Sequence, residues 1–262
     1  MSDLPALVDA AWVQEHLGEP DLVLGDVRGP NAHGRGHLPS SIPLVLGSPP
    51  PLADRGIVRE FAVEVQRRLG RHGVSGGERL VLYDRGDCVG AAASAQAALV
   101  AGHPHVAVLA GGIAGWPGEL ETGAVELAKT KTSLEPHLEA VPTWEELRDR
   151  LDDPALTILD VRSPDEYSGR GGYPCDPRQA HIPGARQLEV ERLFAAPGRP
   201  HEPWAVRELV GLPEGAEIVA YCHSGSRSAL AALALRAAGY AARNYPGSWH
   251  EWSRHPELPA VR

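Results

Sequence analysis

Short apolar runs alternate along this chain with longer amphipathic or alanine-rich stretches, and that rhythm predicts an α/β protein of short strands and covering helices. Ile218-Val219-Ala220-Tyr221 is one such run, with two β-branched members behind the turn-like Pro213-Glu214-Gly215-Ala216, and it reads as a buried parallel strand. Downstream, Ala229 to Ala238 is rich in helix formers, and Gly239 is placed to end the helix. Leu22 to Arg28, Leu80 to Asp84, Val106 to Leu109, Thr157 to Arg162 and Ala242 to Tyr245 read as further strands. Ala53 to Leu69 is the clearest additional helix, with Pro203 to Leu209 as a weaker counterpart, and Thr143-Trp144-Glu145-Glu146-Leu147 looks like a capped helix start.

The pattern occurs twice. Leu24-Gly25-Asp26-Val27-Arg28 returns as Leu159-Asp160-Val161-Arg162, and Gly36-His37-Leu38-Pro39 returns as Ala180-His181-Ile182-Pro183-Gly184-Ala185. Leu80-Val81-Leu82-Tyr83-Asp84 matches Ile218-Val219-Ala220-Tyr221-Cys222, and each half closes on glycine and tryptophan, around Trp116 in one and Trp249 and Trp252 in the other. Correspondences kept in one order signal duplication. The reading is two α/β domains, residues 1–120 and 142–262, each a mostly parallel sheet flanked by helices, joined by a polar linker over residues 121–141. His37 and His181 hold matching strand-to-loop positions and are expected to fasten turns; the tryptophans are expected to cover apolar cores.

Composition narrows the possible partners. With 43% apolar residues in 262, the chain can bury sizeable cores. Its formal charge is -9, with arginines dispersed among acidic residues, which argues against nucleic-acid and anionic-membrane binding. There is no apolar run of membrane-spanning length and no leader-like N-terminal pattern. The three cysteines, Cys88, Cys175 and Cys222, suit a reducing cytoplasm better than a disulfide-stapled secreted fold. None of them pairs at metal-ligand spacing, so no zinc, haem, flavin or other cofactor is expected.

The chemistry concentrates at Cys222. It ends a strand just before a helix, where open α/β sheets place their sites. Between strand and helix lie His223, Ser224, Gly225, Ser226 and Arg227, with Ser228 at the expected helix start. Inward-turned amides of such a loop form an anion-binding nest, completed by the free donors of the first helical turn. A thiolate there gains from the amides, the helix dipole, Arg227 and His223. Gly225 permits a tight bend, and Ser226 and Ser228 can add hydroxyl donors. In the first half the equivalent position is Asp84, which cannot carry a transferable sulfur, so the first domain is expected to be catalytically silent. Cys88, near a helix start, lacks the loop of Cys222; Cys175 lies in an irregular loop, where an incidental role and a redox partnership both stay open.

Together, the repeated Asp-Val-Arg strand end, His181-Ile182-Pro183-Gly184-Ala185, Cys222 with Arg227 five positions on, and Pro246-Gly247-Ser248-Trp249 resemble the tandem rhodanese family of thiosulfate and 3-mercaptopyruvate sulfurtransferases. That resemblance implies sulfur transfer through a persulfide on Cys222 in the C-terminal domain, from a small-molecule donor to cyanide or a thiol, with oligomeric state open. It also implies that the amides of the loop Cys222 to Arg227 cradle the persulfide while Arg227 braces the loop and adds positive field, with Asp160 and Arg162 as anchors. His223, partly cationic near neutral pH, favours thiosulfate as donor over 3-mercaptopyruvate. A cysteine-based phosphatase or arsenate reductase, which resembles this loop but spaces Cys and Arg one residue further apart, and a non-enzymatic rhodanese-like module are the alternatives.

Overall fold

The computed structural model describes residues 4–50, 54–125 and 128–262. Two compact units emerge: residues 1–49, 59–138 and 196–199 form the first, and residues 50–58, 139–195 and 200–262 the second.

The first unit carries strands β1 (Leu7–Val8), β2 (Leu22–Asp26), β3 (Ile42–Pro43), β4 (Arg79–Tyr83) and β5 (Val106–Leu109) in one sheet of order β1-β5-β4-β2-β3. Every pairing is parallel. Parallel pairing requires crossovers, and helices α1 (Ala10–His16), α2 (Pro30–Arg35), α3 (Arg55–Arg71) and α4 (Val89–Val100) supply them. All five residues of β4 are buried, as a strand covered on both faces requires. Val13, Leu24, Leu38, Val81, Tyr83, Ala107 and Leu109 pack into one core beside it. The helix read from Ala53 runs from Arg55 to Arg71, its expected start lying outside the described residues.

The second unit repeats this plan. Helix α5 (Trp144–Asp149) leads into β6 (Leu156–Asp160), α6 (Pro164–Tyr167) and β7 (Arg186–Gln187). The short strands β8 (Phe194–Ala196) and β9 (Arg199–Pro200) include residues 196–199 of the first unit, and after them come α7 (Pro203–Val210), β10 (Glu217–Tyr221), α8 (Ser226–Ala237), β11 (Ala241–Asn244) and α9 (Ser248–Trp252). The main sheet has order β11-β10-β6-β7, all parallel. Thr143 caps α5 by accepting from the Glu146 amide at 3.2 Å, as its sequence predicts. Tyr221, Tyr245, Trp249 and Trp252 join Leu147, Ile158 and Ile182 in the core, so these tryptophans are packing residues.

Strand order places the chemistry. β6 and β10 are neighbours, yet the chain moves outward from them in opposite directions, to β7 and to β11. Ligands in open α/β sheets bind beyond the carboxyl ends of strands at such a reversal. Asp160 ends β6, and Cys222 follows β10 directly.

Candidate active site

The turn from β10 into α8 is tighter than the sequence suggests. Ser226 and Arg227 already belong to the helix, so only His223, Ser224 and Gly225 separate Cys222 from it. The expected six-residue loop is thus three loop residues plus the opening helical turn. Gly225 caps the helix at φ +90°, a left-handed conformation. A Cβ there would sit 2.8 Å from the Pro246 carbonyl oxygen and 2.9 Å from its Cα, so glycine is required by both torsion and space.

Cys222 is buried, and its Sγ is the focus of the turn. The Gly225 amide donates to it at 3.1 Å and the Ser228 hydroxyl at 3.3 Å. The sulfur therefore faces donors at the amino end of a twelve-residue helix, whose dipole favours negative charge. The main chain of Cys222 is fixed from the other side: its amide donates to Ser248 Oγ at 3.1 Å, and its carbonyl accepts from the Trp249 amide at 3.0 Å. Ser248, with φ +53°, also approaches Sγ at 3.9 Å. Asn244 Nδ2 donates to the Gly225 carbonyl at 3.0 Å and holds the bend.

Arg227 braces this turn through a partner that lay outside the sequence reading. Its Nη1 and Nη2 each donate to Glu166 at 2.8 Å. Burial works to raise the Glu166 pKa, but the bonds from Arg227 and the Ser163 amide outweigh it and bring the carboxyl to about 2. The expected positive field of Arg227 is consequently offset by a full negative charge beside it. His223 departs further from expectation. Its ring stacks on Tyr173 at 3.7 Å, and its Nε2 lies 3.2 Å from Asp176 Oδ2. Burial lowers its pKa from 6.5, with Asp176 opposing the shift. Ser224 and Ser226 are exposed at the rim.

Asp160 and Arg162 are anchors. Arg162 is buried, pairs with Asp160 at 2.6 Å and donates to the Ala180 carbonyl at 2.8 Å. Tyr221 donates to Asp160 at 2.6 Å and accepts from the Ile182 amide, tying the ends of β6 and β10 together. The first unit repeats the device with Asp26, Arg28, Tyr83 and Leu38. His37 and His181 fasten turns as predicted, through reciprocal backbone bonds to Glu121 and Val261.

In the first unit the cradle is filled by Asp84. Its Oδ1 accepts from the amides of Gly86 at 2.9 Å and Cys88 at 3.1 Å, and its Oδ2 from that of Ala91 at 3.2 Å. Cys88 caps α4 at φ +62°. Burial, reinforced by Asp84, pushes its thiol up to about 12, so it stays protonated and unreactive.

The family model of the rhodanese-like domain matches residues 9–119 and again residues 143–255. The chain belongs to the rhodanese family. This tandem rhodanese is 30% identical over 274 residues to the putative thiosulfate sulfurtransferase SseB of Mycobacterium tuberculosis, spanning 99% of this chain and 92% of that one. It is 27% identical over 277 residues to the 3-mercaptopyruvate sulfurtransferase of Escherichia coli, spanning 96% of each. A crystal structure described as a probable thiosulfate sulfurtransferase shares its rhodanese fold with a TM-score of 0.76 at 31% identity, over 93% of this chain and 98% of that one.

Sequence reasoning about the rhodanese loop found Cys222, Gly225, Arg227 and Ser228 but not Glu166, Asn244 or Ser248. Ser248 had a signal, since it sits inside the closing Pro-Gly-Ser-Trp motif. Glu166 had only its place after the repeated Asp-Val-Arg strand end.

Proposed function

We propose that this chain is a thiosulfate sulfurtransferase that carries sulfane sulfur on Cys222. The observation that carries the reading is the convergence of the Gly225 amide and the Ser228 hydroxyl on Sγ. The Cys222 thiolate attacks the outer sulfur of thiosulfate; a new S–S bond forms, the donor's S–S bond breaks, and sulfite leaves with the electron pair. The persulfide's outer sulfur then sits among the loop donors formed by His223, Ser224, Gly225, Ser226 and Ser228. A thiolate or cyanide attacks that outer sulfur, and Cys222 departs as the thiolate it began as, favoured by the same donors. Arg227 positions the turn through Glu166.

The first unit is catalytically silent in this reading, because the Asp84 carboxylate already occupies its amides and Cys88 is held as a thiol. All three cysteines are free, which suits a reducing cytoplasm. Support for thiosulfate as donor comes from the relatives at 30% and 31% identity; the lowered pKa of His223 weakens the support its charge would add. A second reading, 3-mercaptopyruvate as donor, is supported by the Escherichia coli relative at 27% identity. A phosphatase is disfavoured because Arg227, whose guanidinium would meet a tetrahedral oxyanion, is engaged by Glu166.

Intact-protein mass spectrometry after exposure to each donor tests the reading. Wild type should gain one sulfur atom from thiosulfate and Cys222→Ser none. A gain that survives Cys222→Ser removes the proposed role, and faster loading from 3-mercaptopyruvate at matched low concentration reassigns the donor.

A further inference from the structure

Four side chains from three separate segments meet beside the active turn. Cys175, Asp176, His223 and His250 each offer one ligand atom, and these atoms all lie within 4.8 Å of one another. Cys175 Sγ is 3.9 Å from His223 Nε2 and 3.8 Å from Asp176 Oδ1. His223 Nε2 is 3.2 Å from Asp176 Oδ2, and His250 Nδ1 is 2.9 Å from Asp176 Oδ1. A tetrahedral ion with bonds of about 2.0–2.3 Å sets its ligands roughly 3.3–3.8 Å apart. Between proposed ligand atoms, Cys175 Sγ to His223 Nε2 at 3.9 Å and His223 Nε2 to Asp176 Oδ2 at 3.2 Å lie close to that range, and the widest spacing in the set requires closure of up to about 1 Å.

A second observation points to a ligand. The Asp176 side chain is fully buried, and its two oxygens are used unequally. Oδ1 faces His250 and Arg254 Nη1, the latter at 3.2 Å, whereas Oδ2 has no hydrogen-bond partner among the described residues. His223 Nε2 stands 3.2 Å from it, a charged pair only when the ring is protonated. A buried carboxylate oxygen left without a donor is costly unless something else engages it. The surroundings are also preorganised: Tyr173 stacks on His223, the His250 amide donates to the His223 carbonyl at 2.9 Å, and Arg254 Nη2 holds the Cys175 carbonyl at 2.8 Å.

We propose that Cys175, Asp176 Oδ2, His223 and His250 form a binding site for a borderline-soft divalent transition metal, with zinc as the type ion. One thiolate, two imidazoles and one carboxylate suit zinc or cobalt and exclude calcium and magnesium, which take oxygen-only cages. On binding, the Cys175 thiol releases its proton to solvent and both imidazoles bind as neutral ligands, so affinity falls as pH is lowered. Arg254 remains on Oδ1 and keeps that oxygen out of the coordination sphere. The site shares His223 with the sulfur-transfer turn, but Cys222 is not one of its ligands, so metal binding can be read without sulfur transfer. Local spacing could not reveal it, because its members come from three separate segments.

The test uses the full chain carrying Cys222→Ser, so that the buried thiol cannot contribute. Cobalt(II) titration should give one equivalent of a tetrahedral visible spectrum together with a near-ultraviolet thiolate charge-transfer band. Zinc should displace it. Adding Cys175→Ser should abolish the charge-transfer band, and adding His250→Ala should weaken zinc binding by at least roughly tenfold, with circular dichroism showing both variants folded. Absence of a tetrahedral spectrum, or one unchanged in both variants, overturns the site; a Cys175-dependent band overturns nothing here even if wild type proves inert toward thiosulfate.

Discussion

Asp84 and Cys222 follow equivalent central strands, and each is the acceptor on which its own strand-to-helix turn converges. Asp84 takes three amides and Cys222 takes one amide and one hydroxyl. Asp84→Ala should leave the two buried donors, the Cys88 and Ala91 amides, unsatisfied along with the part-buried Gly86 amide and destabilise the first unit by about 1–3 kcal/mol, measured by chemical denaturation, while persulfide loading of Cys222 followed by mass spectrometry is unaffected.

Gly225→Ala places a methyl against Pro246 in a backbone conformation that costs an L-residue about 1–2 kcal/mol before any clash. The second unit should lose at least that much stability. Sulfur loading should fall steeply as well, because the amide that reaches Sγ belongs to this residue. Stability and loading both matching wild type would show that the bend is not needed.

The pair of Glu166 and Arg227 makes the second unit acid-sensitive. A carboxyl held at about 2 in the folded chain against 4.5 when unfolded contributes stability that is complete above pH 4.5. That contribution drains away as pH falls from 4.5 toward 2. Glu217, held at about 2 first by its bonds from Arg150 and then by Arg243, acts in the same window. Denaturation midpoints against pH should therefore slope there, and Glu166→Gln should flatten the slope while lowering stability near neutrality.

The first unit should respond at a higher pH. His103 is fully buried, and burial brings its pKa from 6.5 to about 4, with Glu78 opposing and His105 adding to the shift. Its unfolded form takes up a proton that the folded form refuses, so stability is present above pH 6.5 and declines as pH falls to about 4, by up to about 3 kcal/mol. His103→Gln should remove that slope, as denaturation series between pH 7 and pH 4 would show.

How much of this was legible in the sequence depended on whether the signal was local. The strand before Cys222, the need for glycine at 225 and the capping by Thr143 were readable because a run, a turn and a cap each fit within a few residues. The duplicated Asp-Val-Arg ends likewise foretold the matching anchors of Asp26 and Asp160. What escaped depended on pairing across the fold. Glu166 reaches Arg227 from the far side of the sheet connection, and Asp176 meets His223 only once residues 173–178 fold over the turn. His223 and Arg227 each meet a carboxylate, Asp176 and Glu166, that has no neighbouring position in sequence and so could not enter the expectation of their field.

The hold that α9 has on Cys222 bears on how the protein is made. Ser248 and Trp249 clasp the main chain of Cys222, and Asn244 fixes the bend after it. A ribosome would thus extrude the thiol well before the residues that aim it. During synthesis the turn around the sulfur lacks these contacts until the segment from Asn244 to Trp249 has folded back.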